Sequence, residues 1–297
     1  MNSQQRRDIC QFTTVALGFY FLGLSEVFAK PPSPSPLSTP HPRIISVGGA
    51  ITEILYELGL GDFLVAIDTS SNYPLKTKIL PNIGYARTIS MEGLLSMSPT
   101  HIVGSEHMGP AHVVEQLRKY QQVHFHQFFP AYSFAGLLTL VQQLAAIFDV
   151  AARGQQLQYR LKNEWQEILS SNHSKDKKTI PPKVLFILSH RSSEILAGGR
   201  ETAADAMIHL AGGVNVASHF SSYRPLNKEA LLQANPDFIL TTTQSKKFLD
   251  GLLQDQMIAQ VPAIANRKIV SVEANQLLGF GPRLPNTVAH LRRSFVT

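Results

Sequence analysis

Short aliphatic runs alternate with apolar positions at helical spacing along most of the chain. Arg43 to Val47 ends at Gly48-Gly49, after which Ile51, Ile54, Leu55 and Leu58 recur at three- and four-residue intervals before Gly59 and Gly61. This predicts a strand, a tight turn and a helix. The pattern continues with a strand over Phe63 to Ile67, a loop holding Asn72-Tyr73-Pro74, a helical segment over Met91 to Met97 and a strand from His101 to Val103. Strands and helices taken in turn predict a parallel sheet wrapped by helices.

The same unit recurs later in the chain. Glu92, Leu94, Leu95, Pro99 and Ile102 reappear at identical offsets as Glu229, Leu231, Leu232, Pro236 and Ile239. Each copy reads as a short helix stopped by proline and feeding a buried strand, the mark of two similarly built α/β lobes. Between the copies, Leu137, Leu140, Val141, Leu144 and Ile147, then Leu157, Leu161, Trp165 and Ile168, keep helical spacing. They predict one long helix between the lobes with a break near Gly154. Ser170 to Pro182 is polar and ends in proline, which predicts a surface loop before a strand over Lys183 to Ser189. The organisation is therefore an N-terminal lobe over 43–132, a connecting helix and loop over 133–182, and a C-terminal lobe over 183–297.

The first 42 residues do not fit either lobe. Arg6 and Arg7 precede an apolar stretch from Phe12 to Leu24, and Val27-Phe28-Ala29 supplies small residues for cleavage, so 1–29 has the form of a secretory signal peptide cut after Ala29. The apolar run is shorter than the approximately 20 residues of a membrane span, and Glu26 closes it. Residues 30–42, with prolines at 31, 32, 34, 36, 40 and 42, form an extended tether. Cleavage removes Cys10, the only cysteine, and with it any disulfide, zinc-thiolate or iron–sulfur chemistry. The reading places the mature protein in an oxidising compartment outside the cytoplasm.

Composition narrows function mainly by exclusion. The net charge of +6 arises from 27 Lys and Arg spread along the chain, without the clustered stripe of a nucleic-acid-binding face. No G-x-S-x-G elbow, H-E-x-x-H pair or P-loop is present, which counts against an enzyme. Gly198-Gly199-Arg200 makes a turn, and Thr202 with Asp205 opens the next helix in the manner of a capping box. His124 and His126 would share one strand face and could meet one ion, but no nearby carboxylate completes a site, and His101 sits in an apolar strand.

Three segments carry a resemblance: Asn82-Ile-Gly-Tyr85-Ala-Arg87-Thr-Ile-Ser-Met-Glu92-Gly93; Leu188-Ser-His190 with Gly199 to Asn215; and Leu277-Leu-Gly-Phe-Gly-Pro-Arg283. Over residues 43 to 297 the chain resembles the haem-binding members of the periplasmic substrate-binding proteins of ABC importers. The resemblance implies a class III architecture: two Rossmann-like lobes, each with a central, mainly parallel sheet, joined by a long rigid helix. It also implies that Tyr85 coordinates haem iron. The chemistry agrees, because ferric iron is a hard acid and a phenolate oxygen is a hard donor.

Arg87, two residues on, would share a side with Tyr85 in an extended segment and could support the phenolate or pair with a haem propionate. The resemblance further implies that His190, in the loop after the opening strand of the second lobe, contacts haem, although Arg191-Ser192-Ser193 stands where the relatives are usually glycine-rich. His107 and Arg283 are further pocket candidates. The resemblance also implies that Glu92 and Glu229 dock on arginines of the membrane permease. The implied partners are haem, the ABC permease and its ATPase subunit, with the carrier a monomer. The same scaffold carrying a siderophore, cobalamin or a metal ion is the alternative, and a secreted two-lobed α/β enzyme is the alternative from another class.

Overall fold

A computed structural model describes residues 41–171, 180–188, 195–245, 249 and 254–296. The leader, most of the tether, the middle of the 170–182 loop and the His190 loop lie outside the described residues. The first sheet contains β1 (Ile44–Val47), β2 (Leu64–Ile67), β3 (His101–Ser105) and β4 (His124–Phe128), in the order β2-β1-β3-β4. Every neighbouring pair is parallel. Helices α1 (Gly49–Glu57), α2 (Met91–Leu95) and α3 (Ala111–Lys119) lie between the strands in sequence.

The chain then runs through α4 (Phe134–Ile147) and α5 (Ala151–Ser171). The single long helix expected here is thus two, and the break falls at Phe148–Val150 rather than at Gly154. Asp149 takes a left-handed φ of 53°, which aspartate tolerates and which turns the chain back. Phe134 then stacks on Trp165 with ring centres 4.5 Å apart, and Gly154 lets α5 pack directly on Ala145 of α4. Glycine marks the crossing, not the break.

The second sheet is built from β5 (Lys183–Leu188), β6 (Ile195–Gly198), β7 (Val214–Asn215), β8 (Tyr223–Leu226), β9 (Phe238–Thr242) and β10 (Ile269–Val272). Its order is β10-β9-β5-β6-β8, with β7 pairing β5. The β10-β9-β5 core is parallel, whereas β6 and β8 are antiparallel additions. Pro225 is accommodated because β8 is an edge strand. Helices α6 (Ala203–Leu210), α7 (Lys228–Ala234), α8 (Pro262–Ala265), α9 (Ala274–Leu278) and α10 (Leu284–Ser294) complete this half.

The internal repeat lands on equivalent places. Glu92 and Glu229 are the second residues of α2 and α7, capped by the side chains of Ser90 and Asn227. Leu94 and Leu231 are fully buried. Ser98 and Asn235, each just before its proline, both adopt left-handed backbone, with φ of 47° and 45°. Ile102 and Ile239 then pair with Ile45 of β1 and Leu185 of β5.

One apolar core joins the two halves. Ile44 and Val103 of the first sheet, Leu140 and Leu144 of α4, Val184 and Phe186 of the second sheet, and Val288 and Leu291 of α10 belong to a single cluster. Strand alternation sends Ile45 and Ile102, or Leu185 and Ile239, to the outer faces under α2 and α3, or α7 and α8. The long Gly199–Asn215 segment is mainly architectural. Thr202 Oγ1 accepts from Asp205 N at 3.1 Å, while Asn215 Nδ2 donates to Gly198 O and Asp205 Oδ1 at 2.9 and 2.8 Å.

Gly154→Ala tests the helix crossing by its sign. Alanine normally favours a helix over glycine by about 1 kcal/mol. Here an added Cβ would lie 2.5 Å from Ala145 Cβ. The variant is expected to lose about 1–3 kcal/mol in urea unfolding, and a gain would contradict this packing.

Candidate functional site

In a parallel sheet, the loops leaving the carboxyl ends of the strands converge on one edge, where open α/β folds bind ligands. Here those segments are Gly48 with the first turn of α1 after β1, Ser70 after β2, the end of β3 with Glu106 and His107, and Pro130 and Tyr132 after β4. With Tyr85, Arg87 and the opposing segment from Ala274 to Phe280, they line a cavity of about 300 Å³. Leu140, Leu278 and Phe280 contribute apolar surface, and phenol, guanidinium, imidazole and carboxylate groups are all present.

The placement of Tyr85 follows from its neighbours. Ile67 N donates to Pro81 O and Ile83 N to Ile67 O, which lays the incoming segment along the end of β2. Asn82 Oδ1 accepts from Gly84 N at 2.8 Å, and Gly84 takes a φ of 93° that favours glycine. Ala86 and Ile89 are buried beyond it, so the segment is anchored on both sides while Tyr85 stays 52% exposed. Residues 86–88 form a 3₁₀ turn rather than the extended segment expected from sequence. Even so, Arg87 lines the same cavity as Tyr85.

Backbone bonds hold the His107 loop beside it. Gly109 N donates to Ala86 O at 2.9 Å and Ile89 N donates to Gly109 O at 3.1 Å. Glu106 Oε1 lies 3.6 Å from His107 Nε2 and accepts from the Tyr132 hydroxyl at 3.1 Å. Burial and the Glu106 carboxylate push the Tyr132 phenol up to about 12, with Arg87 pulling the other way. Tyr132 is therefore a neutral hydrogen-bond donor at physiological pH.

Arg283 is not brought to this cavity. It lines a separate depression and forks onto Glu53 of α1, which is 4% exposed. Burial raises the Glu53 carboxyl above its ordinary value while the Arg283 pair opposes that shift. Glu92 and Glu229 are exposed on the first turns of α2 and α7, away from the cavity lining. His101 and His124 are register partners with rings 4.9 Å apart, yet among the described residues no group of three or more His, Cys, Asp or Glu is placed to hold a metal ion. Burial, helped by neighbouring imidazoles, lowers the pKa values of His101 and His126.

Sequence reasoning missed Asp68, Glu53, Glu106 and Tyr132. A charged residue inside an apolar helix, as Glu53 is in Ile51-Thr-Glu53-Ile-Leu55, was the available signal. The others occupy strand-end loops that carry no motif.

Residues 44–275 match the Periplasmic binding protein family. The chain belongs to that family. This periplasmic binding protein is 35% identical to the periplasmic haem-binding protein BhuT in complex with two haems, covering 86% of this chain and 97% of that one, with a TM-score of 0.80. It is 33% identical to the periplasmic haem-binding protein RhuT from Roseiflexus sp. RS-1, with the same coverages and the same TM-score. It is also 23% identical, over 86% of this chain and 90% of the relative, to the vitamin B12-binding protein of Vibrio parahaemolyticus serotype O3:K6 (strain RIMD 2210633). The haem-binding structures share the class III two-sheet α/β architecture, and the family is one of substrate-binding transport proteins. Among the described residues, no helix is long and apolar enough to cross a membrane.

The raised Tyr132 pKa predicts an alkaline effect. A phenol held protonated in the folded state contributes stability that is fully present below its unfolded pKa of about 10. That contribution is lost as pH rises through the folded value of about 12. Tyr132→Phe is expected to flatten this part of the alkaline fall in urea midpoint; parallel curves for the two proteins would contradict the assignment.

Proposed function

We propose that this periplasmic binding protein carries ferric haem in the strand-end cleft and delivers it to an ABC-type permease and its ATPase subunit. The observation that carries the reading is Tyr85, held half-exposed at the mouth of an apolar cavity beside Arg87. The donor set suits the ligand: a phenolate for a hard ferric ion, a guanidinium for a propionate and aliphatic walls for the porphyrin face. At about 300 Å³ the cavity lies at the lower end of the range for small-molecule pockets, so it would not fully enclose a ligand as large as haem.

In this reading Tyr85 ligates the iron and Arg87 meets a propionate. His190, outside the described residues, contributes from the second half. Glu92 and Glu229 present one acid per half, each on a helix of the same build, which suits docking on a two-subunit permease. The leader over 1–29 exports the chain and is removed, leaving a monomeric carrier in the periplasm. A second reading, cobalamin in the same cleft, is favoured by the vitamin B12-binding relative.

Absorbance titration of residues 30–297 with ferric haem tests the reading. The wild type is expected to give a saturable Soret band with a phenolate-to-iron charge-transfer feature. In Tyr85→Ala that feature should vanish and affinity should fall by about tenfold or more, roughly 1.4 kcal/mol. Equal binding by both proteins would contradict ligation by Tyr85. Reversing charge at both Glu92 and Glu229 should slow uptake by whole cells while leaving haem affinity unchanged, and normal uptake would remove the docking assignment.

A further inference from the structure

Arg283 stands apart from the cavity because its guanidinium is already engaged. Its Nε and Nη2 donate to Oε2 and Oε1 of Glu53 at 3.0 and 2.5 Å, and Nη2 lies 3.7 Å from Glu273 Oε2. The guanidinium carbon also sits 4.2 Å from the centre of the Tyr73 ring. Glu53 and Tyr73 belong to the half built on the first sheet, whereas Glu273 and Arg283 follow the last strand of the second sheet. The contact therefore crosses from one half to the other.

The same seam carries further cross-bonds. Asn275 Nδ2 donates to Ser70 O and, at 3.2 Å, to Asn72 Oδ1; Asn72 Nδ2 donates to Glu273 Oε1, also at 3.2 Å. Gly281 lets the backbones approach, since a Cβ there would lie 3.2 Å from Ala50 Cα and 3.4 Å from Glu53 Oε2. Ala50, Ser70 and Asn275 are themselves cavity-lining residues. The ion pair is thus one step removed from the ligand site through the wall it braces.

Burying an ion pair is an inefficient source of stability, because desolvation cancels much of the attraction. A two-point guanidinium–carboxylate fork is, however, strongly directional. Set between the two halves, on α1 and at the start of α10, it constrains rotation as well as spacing. We propose that Glu53 and Arg283 are positioning residues for ligand binding: their fork sets the angle between the two halves and so the width of the cavity between the Tyr85 loop and the 274–280 segment. The inference rests on reading this cleft as the ligand site and does not require the ligand to be haem.

The test uses spin labels at Gln116→Cys on α3 and Gln233→Cys on α7, both exposed, in residues 30–297, which contain no other cysteine. Pulsed dipolar spectroscopy is compared among the wild-type pair, Glu53→Gln, Arg283→Gln and Arg283→Lys, with thermal melting as a fold control. Haem release to an apomyoglobin acceptor is measured alongside. The wild type is expected to show a narrow distance distribution. The two glutamine variants should broaden it about twofold and release haem about tenfold faster, with Arg283→Lys intermediate because it keeps the charge and loses the fork. Arg283 is partly exposed, so the lysine variant decides the question should Glu53→Gln fail to fold. Unchanged distances in folded variants overturn the proposal, including the case in which only the melting temperature falls. A wild type that takes up no haem overturns the haem reading, while the distance measurement still decides this one.

Discussion

A buried carboxylate organises the place where the two halves meet. Asp68, fully buried at the end of β2, accepts from Gly48 N at 2.9 Å and Ser71 Oγ at 2.6 Å through Oδ1, and from Ser70 N at 3.0 Å through Oδ2. Ser71 Oγ is also bonded to Thr52 Oγ1, which contacts Ser46 Oγ, so the network is internal and densely satisfied. It fixes the turn into α1 and the loop after β2 at once. That loop presents Ser70 O to Asn275, and α1 presents Glu53 to Arg283. The cavity wall and the seam between the halves both descend from this one group.

A single cluster of apolar side chains from both sheets and the α4–α5 pair holds the remaining surfaces together. Such a shared core resists large excursions, because close-packed interiors rearrange in discrete steps rather than deform continuously. The Glu53–Arg283 seam adjoins Ala50, Ser70 and Asn275, which line the cavity.

Much of this architecture was legible in the sequence because it is encoded locally. The strand beginning at Ile44, the helix through Ile51, Ile54 and Leu55, and the paired Glu92 and Glu229 units follow from periodicity, glycine and proline. Tyr85 and Arg87 were legible through a short motif, and the structure gathers them with His107. The pairing of Arg283 was not legible because its partner, Glu53, is 230 residues away, and side-chain type alone does not tell a guanidinium free to bind an anion from one already bonded. The break at Asp149 was missed because a left-handed aspartate competes with a stronger but misleading glycine signal at 154.

Ferric haem and cobalamin are the two ligands proposed for the cleft. Relatives on this scaffold are named for haem and for vitamin B12, so fold alone does not decide. What distinguishes the ligands chemically is a half-exposed phenol that a ferric centre uses as a hard anionic donor. The most direct measurement is equilibrium competition on residues 30–297, with ferric haem and cobalamin offered together and the bound fraction read by absorbance after separation from free ligand. The account predicts saturable occupancy by haem that excess cobalamin does not displace. Displacement of haem by equimolar cobalamin, or occupancy by cobalamin alone, would contradict it.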